Sequence, residues 1–425
     1  MRNLVFKLVN PDLSQVIHSR LNQATALLCD LVSIRSISGY ERKVAARLAE
    51  ALSSIGLPSQ WEPMPPMPPN DPDLPSSPPT DSDERGNLYS GFPTRNQSIS
   101  NHGRSIILQT HLDVVPAGEW GEAFTPIHRD GRIYGRGACD CKGQAVVIWL
   151  AMAALRDLAI ELNGRVDIQF VGEEEIGGIG ALAAILNRPR ADGVIVLEPT
   201  SMNIHPACRG ALWFRLKITG KSTHMGRKYE GINAIDKAVI AIAKLYKYEK
   251  QLLEESVKQP LFSNYPMPVQ VNIGQLNAGE WPSMVAGKAT LEGGVGFLPD
   301  RDIKTVEQEL NSLFSTSDDN WLSDHFELDF PGLRNEAFST PLDHPLVTTL
   351  VASAHSTGIA PVVRGWNASC DARLYARRGN MPTVVFGAGD MGAAHSSNEF
   401  INDEAIALAA TFIANTIMQW CNYSS

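Results

Sequence analysis

The stretch LQTHLDVVP completes an apolar run and carries a histidine and an aspartate two residues apart, His111 and Asp113. Side chains two apart on a strand point to the same face, so both can act together at the strand's carboxyl end. Such a pair alone is weak evidence of a functional site, because it is also typical of a structural histidine satisfied by a carboxylate at a strand end. Taken alone, the pair favours the structural interpretation.

A glycine-rich loop precedes an apolar helical segment in YGRGACDCKGQ and carries Asp140. It does not match a phosphate-binding loop, because Lys142 precedes Gly143 instead of following the required glycine. The aspartate therefore acts either as a cap near the helix start or as a metal ligand. Cys139 and Cys141 form a CxC without a second pair, and we interpret them as packing residues.

Further acidic and imidazole side chains follow later strands. VDIQFVGEEEIGG ends in three consecutive glutamates, GVIVLEPT ends with Glu198, and TVVFGAGD leads into MGAAHSSNE with His395. Like charges after a buried strand repel each other, and a cation would offset that repulsion. Together these segments supply two histidines, an aspartate and two glutamates, which predicts two divalent metal ions about 3.5–4 Å apart. Mixed imidazole and carboxylate ligands suit Zn²⁺, with Co²⁺ or Mn²⁺ as substitutes.

The elements around these residues predict the fold class. Between residues 105 and 199, apolar strands alternate with helical segments, which indicates an α/β domain with a mostly parallel sheet covered by helices. Active residues then lie beyond the carboxyl ends of the strands. Upstream, Ser38 and Glu41 have the spacing of a capping box and predict the start of a helix there.

The rhythm changes after residue 208. Residues 209–329 follow a β-α-β-β-α-β order, which predicts an inserted ferredoxin-like α+β lid and dimerisation domain. Residues 1–208 and 330–425 are then the two parts of the catalytic domain. Residues 58–79 contain ten prolines, so we predict that 58–101 forms a surface excursion from the first part.

Composition excludes several function classes. The formal net charge is -9 and no cluster of Lys and Arg is present, which argues against nucleic-acid binding. No apolar run is long enough to span a bilayer, and the apolar start is too short for a signal peptide, so a cytoplasmic location is expected. Six scattered cysteines show no disulfide framework.

In order and spacing, HLDVVP, GRGACDCKG, EEEIGG, LEP and AHSSNE resemble the dinuclear zinc amidohydrolase family of acetylornithine deacetylase, succinyl-diaminopimelate desuccinylase, aminoacylase and carboxypeptidase G. The resemblance covers nearly the whole chain outside the Pro-rich stretch. It implies a bridging Asp140, with His111 and Glu198 on one metal and Glu175 and His395 on the other. It also implies that Glu174 is the general base and that Asp113 orients His111.

The stretch GKSTHMGRKYEGINAI resembles the lid histidine motif of the same family. The resemblance implies that His224 donates to the carbonyl oxygen of a small N-acyl substrate across the interface of a homodimer formed through the lid domain. It also implies that Asn233 helps to bind the substrate. The alternative interpretation of His224 is a surface-loop histidine.

The lid departs from the family at two positions. Gly296 stands where many members have an arginine that binds the substrate's α-carboxylate, and Ser283 stands where they have an asparagine. Arg373 is a candidate replacement for the missing charge, or a structural partner of Asp371. The leading interpretation is an N-acyl amino-acid deacylase of acetylornithine deacetylase type, and the alternative is an N-formyl aminomethylpyrimidine deformylase of thiamin salvage. Carboxypeptidase or dipeptidase activity, a metallophosphatase and a metal-free non-catalytic relative rank lower.

Overall fold

The structure is a computed structural model that describes residues 11–68, 71–74, 82–94 and 103–424. Ten α-helices lie in these ranges: α1 Pro11–Ser19, α2 Leu21–Ser33, α3 Arg42–Ser54, α4 Lys142–Asp157, α5 Ile179–Asn187, α6 Ala234–Ser256, α7 Ile303–Ser315, α8 Asn320–Asp324, α9 Pro345–Ser356 and α10 Asp403–Cys421. None of these helices is long and apolar enough to cross a membrane.

The strands of the same ranges form two large sheets and two small ones. They are β1 Ser59–Pro63, β2 Gly86–Phe92, β3 Ile106–His111, β4 Ile127–Arg129, β5 Arg132–Tyr134, β6 Glu161–Leu162, β7 Val166–Val171, β8 Gly193–Val196, β9 Ile204–Cys208, β10 Gly210–Thr219, β11 Val271–Ala278, β12 Lys288–Phe297, β13 Phe326–Asp329, β14 Arg334–Asn335, β15 Phe338–Ser339, β16 Val363–Trp366, β17 Thr383–Val385, β18 Phe400–Asn402 and β19 Tyr423–Ser424.

The larger sheet has the order β1-β2-β7-β3-β8-β17-β9-β15, with β16 also on β9. Its four central strands, β7, β3, β8 and β17, run parallel. Every residue of β3 and β8 is buried, as expected for strands covered by helices on both faces. The predicted α/β class with a mostly parallel central sheet is confirmed, and the carboxyl ends of β3, β7 and β8 meet at one edge.

The second sheet has the order β11-β12-β10-β13 and is antiparallel. Buried and more exposed residues alternate along β10, so one face packs on a core to which α6 and α7 contribute. This element order and strand order confirm the predicted ferredoxin-like arrangement. β14 pairs with β10 beyond the predicted boundary at residue 329, and the exact domain boundaries stay a prediction.

The capping-box prediction is wrong. Helix α3 begins at Arg42 with Glu41 at its N-cap, and neither predicted side chain caps it. The Ser38 hydroxyl instead donates to Asp113 Oδ2 at 2.7 Å, and Glu41 Oε1 accepts from the Gly39 backbone N–H. The serine therefore bonds to a buried aspartate distant in sequence, because a buried carboxylate left without hydrogen-bond donors costs free energy.

The surface-excursion prediction for 58–101 is wrong for two segments. Strands β1 and β2 pair with each other, and β2 joins the larger sheet through β7. The prolines permit this pairing, because β1 has its single proline at its last residue and lies at the sheet edge, while β2 has none. Residues 69–70, 75–81 and 95–102 of this stretch lie outside the described part of the chain.

Candidate metal centre

His111 is the last residue of β3 and is buried. Its Nδ1 lies 3.0 Å from the Asp113 backbone oxygen and 3.4 Å from Asp113 Oδ1. Its Nε2 lies 3.1 Å from Asp140 Oδ1 and 4.0 Å from Glu198 Oε2. One ring nitrogen is thus engaged by Asp113, while the other faces two carboxylates from separate loops.

The Asp113 carboxylate also holds the glutamate turn that follows β7. It accepts hydrogen bonds from the Glu174 and Glu175 backbone N–H groups, each at 3.1 Å, and from Ser38. Its role in orienting His111 stays a prediction. The geometry gives it a second use that the sequence did not indicate, because it ties the end of β3 to the neighbouring acidic turn.

Asp140 is held by a buried glutamate that sequence reasoning gave no role. Glu399 Oε1 accepts the backbone N–H groups of Gly137, Cys139 and Asp140 at 2.9, 3.0 and 3.1 Å, and its Oε2 pairs with Arg136 at 2.6 Å. The signal was present as the final residue of AHSSNE. Despite desolvation, hydrogen bonds from His111 and His395 lower the pKa of Asp140.

The three consecutive glutamates, residues 173–175, make different contacts. Glu173 is fully buried and pairs with Arg85. Glu175 Oε1 lies 3.1 Å from His395 Nε2. The Glu174 carboxylate has no hydrogen-bond partner among the residues that the structure describes, and it lines a cavity. Burial raises the pKa of Glu174 well above its usual value, and burial likewise raises the pKa of Glu198 to about 8. Clustered buried acids of this kind favour a bound cation.

The donor side chains form two groups that share Asp140, and within each group the donor atoms all lie within 4.8 Å of one another. The groups are His111, Asp140, Cys141 and Glu198, and Asp140, Glu175 and His395. The structure thereby brings all five predicted ligands together. The donor set fits two divalent ions that would share Asp140, since imidazole and carboxylate groups converge from the end of β3 and from four separate loops. The individual ligand roles stay predictions.

Cys141 does not fit its interpretation as a packing residue. Its Sγ lies 2.9 Å from Glu198 Oε2 and 3.0 Å from Asp140 Oδ1, so the thiol faces the carboxylates. The CxC motif was interpreted only as a pair of cysteines. In the fold, the loop before α4 directs the Cys141 thiol into the donor cluster. Cys139 is buried with its Sγ 3.5 Å from the Asp390 backbone oxygen.

A cavity of about 540 Å³ adjoins the donor groups and is lined by Glu174, Glu175 and residues 72–74 of the Pro-rich stretch. Its volume is that of a small-molecule site. Arg373 also lines it, but Nη2 donates to the Gly177 backbone oxygen at 3.1 Å and Nη1 lies 3.6 Å from Asp73 Oδ1. The predicted replacement cation is therefore already engaged. The Pro-rich composition gave no indication that Asp73 reaches the site.

The lid residues lie apart from this cluster within one chain. His224 is exposed, and its Nδ1 accepts from the Gly226 backbone N–H at 3.1 Å. Asn233 is the N-cap of α6, where Oδ1 accepts from the Ile235 N–H at 2.9 Å. The Ser283 backbone oxygen accepts from Met225 N–H. Neither His224 nor Asn233 lines the cavity beside Glu174, and their substrate roles stay predictions.

A largely parallel α/β sheet with imidazole and carboxylate donors at its carboxyl edge, joined to a ferredoxin-like sheet over a cavity, defines the class of metal-dependent hydrolases. Residues 107–419 match the model of Peptidase family M20/M25/M40, and the chain belongs to this family. The predicted resemblance is confirmed. The protein is accordingly a metallohydrolase that acts on amide bonds.

Two relatives and one solved structure illustrate the family. The chain is 27% identical over 342 residues to an acetylornithine deacetylase of Edwardsiella ictaluri, covering 77% of this chain and 85% of that protein. It is 27% identical over 344 residues to an N-formyl-4-amino-5-aminomethyl-2-methylpyrimidine deformylase of Bacillus subtilis, covering 75% and 80%. An aminopeptidase from Bacillus cereus has the same fold, with a TM-score of 0.73, 20% identity and coverage of 93% and 98%.

Proposed function

We propose that the protein removes the acyl group from an N-acyl amino acid by hydrolysing its amide bond. The observation that carries this proposal is the pair of donor groups sharing Asp140, next to a glutamate whose carboxylate is free of described partners. The adjoining cavity of about 540 Å³ has room for a substrate of this size. The similarity to an acetylornithine deacetylase supports the same substrate class.

In this proposal, His111 and Glu198 would hold one ion and Glu175 and His395 the other, with Asp140 belonging to both donor groups. We propose Zn²⁺ as the native ion, with Co²⁺ or Mn²⁺ as substitutes, and a cytoplasmic location. When bound, the two ions lower the pKa of a water molecule and polarise the substrate's carbonyl group. The identity of the metal rests on the mixed nitrogen and oxygen donors.

Glu174 is the proposed general base. It accepts a proton from the attacking water and later returns that proton to the leaving amine, so the carboxylate ends the cycle as it began. Asp113 positions this turn by accepting the backbone N–H groups of Glu174 and Glu175. A carboxylate held by its backbone, with its own oxygens unbonded, is suited to accept a proton from water.

The proposal includes a homodimer formed through the ferredoxin-like sheet and α6. Large apolar side chains around the His224 loop are exposed, among them Met225 at 60%, Tyr229 at 81% and Trp281 at 68%. On α6, Val239 and Tyr246 are exposed as well. Clustered exposed apolar side chains favour an interface. In the dimer, His224 of the partner subunit would donate a hydrogen bond to the substrate's carbonyl oxygen.

A deformylase acting on a neutral formyl-aminomethylpyrimidine is the second candidate. Gly296 offers no side chain at the position where the family resemblance implies a carboxylate-binding arginine, and the relative from Bacillus subtilis is a deformylase of this kind. Carboxypeptidase or dipeptidase activity is the third candidate, because the same set of groups can hydrolyse a peptide amide.

Hydrolysis assays test the proposal. The protein loaded with Zn²⁺ or Co²⁺ is given N-acetyl amino acids, dipeptides and an N-formyl aminomethylpyrimidine, and kcat/KM is measured for each. We expect the acyl amino acids to be the best substrates, with bound metal measured by elemental analysis. Preference for the pyrimidine or for dipeptides would replace the proposed substrate class, while absence of bound metal and of all activity would support a non-catalytic relative.

A further inference from the structure

Three arginines line the cavity beside Glu174, and they differ in how their charges are neutralised: Arg209, Arg334 and Arg373. Arg334 forms an ion pair with Glu307, and Arg373 lies near Asp73 and Asp371. The Arg209 side chain is bonded only to the neutral Gln270 Oε1, and within the described ranges no carboxylate pairs with it. Arg209 is therefore the cavity cation whose charge is left for another anion.

The position of Arg209 connects the two sheets. It lies between the last residue of β9 and the first residue of β10, and its backbone N–H donates to the Trp366 oxygen at 3.2 Å. The side chain is half-buried and lines both the cavity beside Glu174 and a neighbouring cavity under β12. Partial burial of an unpaired guanidinium costs free energy, which a bound anion would offset.

Gly296 provides the space that Arg209 uses. Gly296 pairs with Ala211 across β12 and β10. A Cβ atom built at Gly296 would lie 3.1 Å from Arg209 Nη1 and 3.3 Å from Gln270 Oε1. The guanidinium thus lies directly against the backbone position where the family resemblance leads one to expect an arginine. A side chain at residue 296 and the present position of Arg209 would compete for the same volume.

We propose that Arg209 binds the carboxylate of the substrate, oriented by Gln270, and thereby makes the cavity specific for anionic N-acyl compounds. This inference rests on the proposed amide hydrolysis and names the residue that would recognise the carboxylate of its substrate class. A planar guanidinium matches a carboxylate through two parallel hydrogen bonds, which an amide or a neutral ring cannot reproduce. The proposed carboxylate-binding arginine thus lies in the connection between the two sheets and not at residue 296 of β12.

The test compares N-acetyl amino acids with their C-terminal amides, using wild-type protein, Arg209→Gln, Arg209→Lys and the control Arg334→Gln. Loss of a charged bidentate contact should raise KM for the acids about 10- to 100-fold in Arg209→Gln, while values for the amides stay within about twofold. Arg209→Lys should recover part of the loss, and Arg334→Gln should not separate the two sets. Equal changes for acids and amides would overturn the proposal.

Two further measurements separate failure of this inference from failure of the proposed function. Binding of N-acetyl amino acids to metal-loaded Glu174→Gln, with and without Arg209→Gln, reports recognition without turnover, and equal dissociation constants would reject Arg209 even if hydrolysis is observed. The double variant Arg209→Ala with Gly296→Arg transfers the positive charge to residue 296. For the acids, it should recover at least a tenth of the kcat/KM that Arg209→Ala alone loses. An active wild type that ignores the carboxylate would reject the inference alone.

Discussion

The donor cluster and the His224 loop are the two regions to which the proposed hydrolysis assigns roles, and they are built differently. The cluster is buried except for half-buried Glu175 and exposed His395, and its side chains contact one another at 2.9–3.3 Å through Cys141, Asp140, Glu175 and His395. His224 is exposed in a 3₁₀ turn and bonds only to its own loop. The donor groups of the cluster all come from a single chain, whereas the His224 side chain has no partner outside its own loop among the residues that the structure describes.

This contrast predicts which of the two regions depends on assembly into a dimer. The acids and histidines of the cluster reach their positions by folding of one chain, because five of its segments bring them together. The exposed His224 lies among exposed apolar side chains, and in the proposed homodimer a second subunit would supply the surface that it faces. Substitutions in the cluster should therefore act within each subunit, and substitutions in the His224 loop should act between subunits.

The largest effect is expected for Asp140→Ala. This variant removes the carboxylate shared by both donor groups, so metal occupancy and turnover should be lost together, with a rate decrease of more than about 1,000-fold. Elemental analysis and kcat measure the two losses. Full metal content in the folded variant would contradict the bridging role, and circular dichroism provides the folding control.

Glu174→Ala should separate chemistry from metal binding. Removing a general base lowers the rate by about 10²- to 10⁴-fold, while the five donors that remain should keep the metal. Rates with Zn²⁺ and Co²⁺ and metal content are measured, with isosteric Glu174→Gln as the matched control. A variant that keeps more than about a tenth of the wild-type rate would remove Glu174 as the base.

His224→Ala tests whether the exposed loop acts between subunits. Loss of a donor to the carbonyl oxygen should lower kcat by about 10²- to 10³-fold without changing metal content. Mixing this variant with Glu174→Ala subunits should restore up to about a quarter of wild-type activity, because half of the dimers are mixed and each has one intact site. No recovery after verified subunit exchange would place the function of His224 within its own chain or remove it.

A smaller effect is expected for Glu399→Gln. This carboxylate accepts three backbone N–H groups around Asp140 and pairs with Arg136, so it supports the ligand without belonging to either donor group. Loss of such support typically weakens metal affinity about 10- to 100-fold. Competition with a chelator measures this affinity. Unchanged affinity in a folded variant would show that the loop keeps its shape without Glu399.

The sequence predicted the α/β class, the ferredoxin-like arrangement and the convergence of the donor residues. These predictions succeeded because strand periodicity and residues at strand ends are local signals, and parallel strands bring their carboxyl ends to one edge. His111, for example, is the last residue of β3, and Glu198 follows the adjacent strand β8. Local pattern therefore contained most of the information about where these side chains meet.

What the sequence did not indicate depends on contacts between distant segments. The Glu399 carboxylate reaches the loop around residue 137, Asp73 lies near Arg373, and Arg209 fills the space beside Gly296. Each of these contacts depends on how side chains pack once the sheets have formed. The sequence around either residue shows no local pattern that predicts its partner. The contact of the Cys141 thiol with Glu198 is likewise not predictable from the local sequence.

The smallest effect is expected for Ser38→Ala, which tests whether support of the acidic turn extends to its outermost contact. The hydroxyl donates to Asp113 Oδ2 at 2.7 Å, while the carboxylate keeps its bonds from Glu174 and Glu175 N–H. We expect a loss of about 1–3 kcal/mol in the free energy of unfolding, because a buried acceptor loses one donor. Denaturant titration measures this loss, and kcat should fall only a few-fold. Ser33→Ala is the matched control, since that hydroxyl bonds an exposed carbonyl of its own helix. A fall in kcat as large as that of Glu174→Ala would show that the Asp113 network controls the base itself, and an unchanged stability would remove Ser38 from that network.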